Sequence, residues 1–128
     1  MSGKVLGIGG VFFKCKDREA LGEWYEKALG FKIDPSYGGT SFPATNIPKE
    51  GYTVWGAFKS DTDYFAPSQK DFMINLMVDD VEACIKQVVA NGGKQVGDIV
   101  VEDGFGKFAW FMDPDGNKVE LWQMPEQQ

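Results

Sequence analysis

One segment occurs twice in this chain, about half its length apart, and that duplication constrains the fold more than any other feature. Val11-Phe12-Phe13-Lys14-Cys15-Lys16-Asp17 opens a helix-like run ending at Gly30, and Ile74-Asn75-Leu76-Met77-Val78-Asp79-Asp80 opens another ending at Gly93. Asp17 to Gly30 and Asp80 to Gly93 are equally spaced, and Phe31-Lys32-Ile33 and Lys94-Gln95-Val96 come after them. Each copy reads strand, acidic helix cap, amphipathic helix, glycine stop, strand. A unit that cannot cover its own apolar face must pack against its twin. The repeat therefore predicts an α+β fold: two tandem βαβββ modules pairing into a cup-shaped mixed sheet, with helices on the outside. One domain spans 1–128, with module 1 over about residues 5–58, a polar linker over about 59–70 and module 2 over about 71–124.

Within module 1, strands are expected over residues 5–15, from 31, near 40–45 and over 51–58. In module 2 they are expected over 72–78, 95–101, 107–112 and 118–123. Asp113-Pro114-Asp115-Gly116-Asn117 reads as a hairpin turn, because Pro fixes φ and Gly accepts a positive one. Strand alternation then sorts two faces. Ile74, Leu76 and Val78 share an aliphatic face suited to a helix, while Met73, Asn75 and Met77 share the other. On the last strand Val119 and Leu121 oppose Lys118, Glu120 and Trp122. Helices should cover the plain faces, leaving the mixed ones to line the cup. Trp24 and Tyr25 fall at helical spacing and read as core, and Cys15 and Cys84 as buried, inert thiols.

Composition removes several functions. A net charge of −6 argues against nucleic acid, whose phosphates demand a basic stripe. No run approaches the ~20 apolar residues of a membrane helix. No secretory leader is visible and two cysteines make no disulfide framework, so a reduced, cytoplasmic protein is expected. The chain has no histidine, which excludes Ser–His or Cys–His nucleophile pairs and His-based zinc sites. Asp17, Asp79 and Asp80 are explained as helix caps, and the Asp113–Asn117 acids as turn formers rather than calcium ligands.

The pieces Ile8-Gly9-Gly10-Val11-Phe12-Phe13, Trp24-Tyr25-Glu26-Lys27-Ala28-Leu29-Gly30-Phe31, Val78-Asp79-Asp80-Val81, Asp113-Pro114-Asp115-Gly116-Asn117 and Val119-Glu120-Leu121 are similar to those of the vicinal oxygen chelate superfamily. That superfamily includes glyoxalase I, bleomycin-resistance proteins, fosfomycin-resistance enzymes and extradiol dioxygenases. The resemblance covers nearly the whole chain and implies the fold, not an activity. It also implies where a metal would sit, since metal-using members carry two His and two Glu facing into the cup. Those positions fall on Gly10, about Trp55, Met73 and Glu120, of which only Glu120 is a ligand type. One carboxylate does not hold a divalent ion by itself, so no metal and no cofactor are expected.

Gly10, Trp55, Met73 and Glu120 would instead converge on an aromatic cup with a single carboxylate. Phe12, Lys14, Asn75, Met77 and Trp122 would extend it. Such a wall suits a small flat or cationic organic ligand, held by stacking, cation–π attraction and one charge-assisted hydrogen bond. Glu120 is also the one candidate catalytic group, as a general base, against a structural role bonded to Asn75 or paired with Lys14 or Lys118. Two alternatives stand beside the binding protein: a lyase, isomerase or dioxygenase with an atypical or absent metal centre, and a non-catalytic interaction scaffold. The resemblance further implies a homodimer, with Tyr64, Phe65 and Phe105 as candidate interface aromatics.

Overall fold

The computed structural model describes residues 2–126. Both helices form where the repeat places them. Helix α1 (Arg18–Leu29) starts at Asp17, whose side chain accepts the Ala20 N–H at 3.0 Å. It stops at Gly30, where φ of 73° lets the Phe31 N–H return to the Tyr25 carbonyl at 3.3 Å. Helix α2 (Val81–Ala90) starts at Asp80 with the equivalent bond from the Ala83 N–H, at 3.0 Å. Its stop divides the labour between two glycines. Gly92 carries the positive φ of 89°, whereas Gly93 is required by crowding: a Cβ there would lie 2.5 Å from Val88 Cγ1 and 3.0 Å from the Trp24 ring. The helices are laced together by Gln87 Nε2 donating to the Ala28 carbonyl and Trp24 Nε1 to that of Asn91.

Strands β1 (Ile74–Met77), β2 (Lys94–Gln95), β3 (Val100–Glu102), β4 (Gly106–Met112) and β5 (Lys118–Gln123) make one mixed sheet. Its order is β1-β5-β4-β2, with β3 also pairing β4. β5 runs parallel to β1 and antiparallel to β4. Leu21, Tyr25, Val81, Ile85 and Val88 of the helices close over Ala109, Phe111, Val119 and Leu121 of the sheet. This is the α+β class expected, with helices on one face of a mixed sheet. Trp24 and Tyr25 do sit in or against that core, as do the half-buried Cys15 and Cys84. Burial raises the Cys84 thiol pKa further, which keeps it protonated and unreactive.

The 113–117 turn is tied to α1 through one buried carboxylate. Asp113 Oδ1 accepts the N–H groups of Asp115 and Asn117, while Oδ2 accepts the Asn117 amide and the Tyr25 hydroxyl, the latter at 2.9 Å. Burial first, then the Asp113 charge and hydrogen bond, raises the Tyr25 pKa far above its ordinary value near 10. Tyr25→Phe is expected to lose about 1.5–3 kcal/mol at neutral pH, the worth of a hydrogen bond to a charged group. Because the folded-state pKa is raised, this contribution is whole below pH 10 and drains away above it, as the unfolded phenol ionises and the folded one does not. Urea unfolding across the alkaline range should therefore show the two proteins converging; a gap that widens with pH would contradict this account.

The two halves differ. Among the described residues every ladder strand lies within 74–123. The segments 5–15, 31–33, 40–45 and 51–58, expected as strands, form no ladder; an isolated bridge joins Asp34 and Gly39, and Ala44–Asn46 is a short 3-10 turn. Phe12 and Trp55 are 95% and 81% exposed. The physical reason is pairing: a strand exists only with a neighbour, and β1, at the end of the sheet, keeps its outer edge free. Phe13 makes a tilted ring contact with Phe72, centroids 6.2 Å apart.

Candidate functional site

The sheet face away from the helices carries the chemistry. Register places Asn75 of β1 beside Glu120 of β5, and Trp110 of β4 on its other side. Three side chains in one row across three strands stand within reach of one another. Asn75 Nδ2 donates to Glu120 Oε1 at 2.6 Å, and Trp110 Nε1 donates to Oε2 at 2.7 Å. A third donor comes from the segment that precedes β1: the Tyr64 hydroxyl donates to Oε2 at 2.6 Å. Glu120 is thus buried and held by three donors, which is how a carboxylate remains tolerable away from water.

A cation stands alongside. Lys118 Nζ donates to the Tyr64 carbonyl and lies 5.1 Å from the centre of the Tyr64 ring and 6.0 Å from that of Trp110. Burial lowers its pKa, while attraction to Glu120 and Asp63 works the other way. Burial likewise raises that of Tyr64, reinforced by its bond to Glu120 and the charge there, so the phenol is held as a neutral donor. Beyond Trp110 runs a row of near-parallel rings: Phe108 stacks on Trp110 at 6.5 Å and 17°, and on Trp122 at 6.0 Å and 8°. Trp122 is pinned by its own Nε1 donating to the Phe105 carbonyl at 2.8 Å. Against this wall lies a cavity of about 260 Å³, lined by Tyr64, Val100, Glu102, Phe108, Trp110 and Glu120.

Of the residues singled out in the sequence, Asn75, Met77, Glu120 and Trp122 share this face, Met77 being the register partner of Trp122. Met73 is half-buried just before β1. Lys14 lines a separate, larger hollow of about 520 Å³ with Lys16, Lys70 and Asp115. That hollow is a lysine-rimmed surface depression without converging aromatic groups; the smaller cavity is where the polar and aromatic chemistry meets. Phe12 and Trp55 point to solvent, away from both cavities, because their segments have no ladder to set them on the sheet. Sequence reasoning did not select Trp110, Phe108 or Tyr64 for the cup. The first two were within reach: a hairpin closing through 113–117 pairs Met112 with Lys118 and so, two residues on, Trp110 with Glu120. Nothing local marks Tyr64, an aromatic residue in a polar linker.

These contacts also test the metal implied by the resemblance. Gly10 has no side chain to offer, Trp55 is turned to solvent, and both Glu120 oxygens are already engaged by donors. Among the described residues no three acidic or cysteine side chains gather as a metal-holding group. The residues present do not fit the superfamily's metal centre.

A sequence profile of the glyoxalase-like domain matches residues 10–122. The chain belongs to the glyoxalase-like family. This glyoxalase-like domain is 29% identical to a glyoxylase-like domain-containing protein of Didymella fabae, over 92% of this chain and 94% of that one. Its fold is shared by solved structures of low identity. A glyoxalase-related enzyme from Fulvimarina pelagi matches with a TM-score of 0.56 at 16% identity, covering 94% of this chain and 90% of that one. TnmS3, an antibiotic binding protein from Streptomyces sp. CB03234, matches with a TM-score of 0.50 at 24% identity, covering 87% and 89%. No helix of the described chain is long and apolar enough to cross a membrane.

Proposed function

We propose that this glyoxalase-like domain binds a small flat organic molecule in the cup, without a metal or cofactor of its own. The observation that carries this reading is the near-parallel row of Trp122, Phe108 and Trp110 standing beside a cavity and ending at one buried carboxylate. Flat rings extend such a row by stacking. Lys118, already seated over the Tyr64 and Trp110 rings, repels a second cation there, so the flat ligand is favoured over the cationic one. Small-molecule holding has a parallel in TnmS3, an antibiotic binding protein of similar fold. Glu120, the one candidate for catalysis, has its oxygens occupied by structural donors, which favours binding over turnover.

Calorimetry with indole as the flat probe tests this. One indole per chain is expected, weakened about two- to tenfold by Phe108→Ala, the loss of one aromatic pair. Absence of binding, with the cup filled by its own side chains, would leave the scaffold reading in its place.

The active form is proposed to be a homodimer. β1 has a free edge, and the same chain carries two β-prone segments outside any ladder, 5–13 and 51–58, whose aliphatic and aromatic side chains are largely exposed. A second copy supplies what each lacks, by strand addition along the free edge. Gel filtration giving the mass of one chain would sink it. The two unpaired thiols Cys15 and Cys84 suit a reducing, cytoplasmic setting.

A further inference from the structure

We propose that Tyr64 is a built-in stand-in for the ligand, and that the cup is made for a neutral phenol, which displaces Tyr64 and takes over its contacts. The inference rests on the reading of the cup as a binding site and adds to it the chemical class of the occupant.

Tyr64 does not behave as a residue of the sheet. It belongs to a segment closed by its own local turns, with Thr62 N–H bonding Lys59, Ala66 N–H bonding Asp63 and Ser68 N–H bonding Phe65. Tyr64 itself tethers this segment to β5, through its hydroxyl on Glu120 and its carbonyl on Lys118. The remaining aromatic neighbours Phe58 and Phe65 come from the strap side, at 5.6 and 6.4 Å. The phenol is 38% exposed, so it enters the cup from outside rather than being built into its floor. With Tyr64 in place, the cavity of about 260 Å³ falls just under the ~300 Å³ at which ligand sites usually begin. Withdrawing one phenol ring enlarges it in the direction of the carboxylate.

What surrounds the ring specifies its replacement. Glu120 Oε2 keeps the Trp110 donor when the Tyr64 hydroxyl leaves and can accept a second, whereas a ligand carboxylate or phosphate would be repelled there. The Lys118 ammonium lies over the ring face, attracting an electron-rich aromatic and repelling a cation. Trp110 meets the ring edge-on at 6.3 Å and 87°, a geometry any flat ring accepts. A neutral aromatic bearing one hydroxyl satisfies all three demands, as the tyrosine side chain does.

The probes are p-cresol, which is the tyrosine side chain as a free molecule, and toluene, which lacks the hydroxyl. Calorimetric titration is made into the wild type, Tyr64→Ala and Tyr64→Phe. Tyr64→Ala is expected to bind p-cresol about ten- to hundredfold more tightly than the wild type, and to prefer it to toluene by a similar factor, as a hydrogen bond to a charged group dictates. Tyr64→Phe, which keeps the ring and the backbone bond from Lys118 but drops the hydroxyl's bond to Glu120, should bind p-cresol more tightly than the wild type even if Tyr64→Ala fails to fold. Equal p-cresol affinity in wild type and both variants overturns the stand-in role while leaving a binding cup. Toluene matching p-cresol in Tyr64→Ala overturns the phenol class alone. If neither probe binds any of the three proteins, the cup reading and this inference fall together.

Discussion

Replacing Glu120 with alanine should cost about 3–5 kcal/mol of folding free energy, although an acid at this position invites a catalytic interpretation. The carboxylate is the shared acceptor for Tyr64, Asn75 and Trp110, and its removal leaves all three donors facing one another around a void. An orphaned buried donor costs about 1–3 kcal/mol, a loss that falls mainly on the half-buried Trp110, because Asn75 and Tyr64 reach solvent and can turn to water. Lys118 loses its countercharge at the same time. Glu120→Gln keeps the shape but turns an amide donor toward groups that are themselves donors, so it should fall between wild type and alanine. Urea midpoints of the three proteins decide the matter. An acid retained for chemistry at the expense of stability would give the opposite sign, with the alanine variant more stable than wild type.

Phe111→Ala is expected to lose a similar amount, about 3–5 kcal/mol, through a different mechanism. Phe111 is fully buried near the end of β4, against the rings of Trp24 and Tyr25 from α1 and below α2. It joins the helix of the first half to the sheet of the second, so the void it leaves has walls from two halves that cannot both relax inward. Against a total of about 5–15 kcal/mol for an ordinary domain, this is a loss few chains survive at 37 °C. Phe111→Leu keeps most of the volume and should melt between the two. An alanine variant that unfolds within a few degrees of wild type would show that the core is not organised around this ring.

The halves were unequally legible in the sequence. Everything local was readable: Asp17 and Asp80 as caps, Gly30 as a left-handed stop, the 113–117 turn and, through it, the faces of β5. Those features are set by single residues whose backbone preferences act wherever they occur. The first-half strands were read from the same β-propensity, but propensity describes a surface that fits a neighbour and does not supply one. Residues 5–15 and 51–58 have the composition of strands and pair with no strand among the described residues. Glu120 and Asn75 were placed on one face by alternation alone. Trp110 needed the hairpin register to be counted across, and Tyr64 needed the path of a linker, which no periodicity encodes.

The position of β5 sets the order in which the molecule can be made. It is the strand that joins β1 to β4, and it is also the last element of the fold to leave the ribosome. Until residues 118–123 exist, β1 has nothing to pair with, the β3–β4 hairpin has an open side, and the helices have half a floor. The nascent domain therefore carries the apolar faces of its helices uncovered through most of its translation and acquires its sheet in one late event. The sheet closes only once its final strand is free.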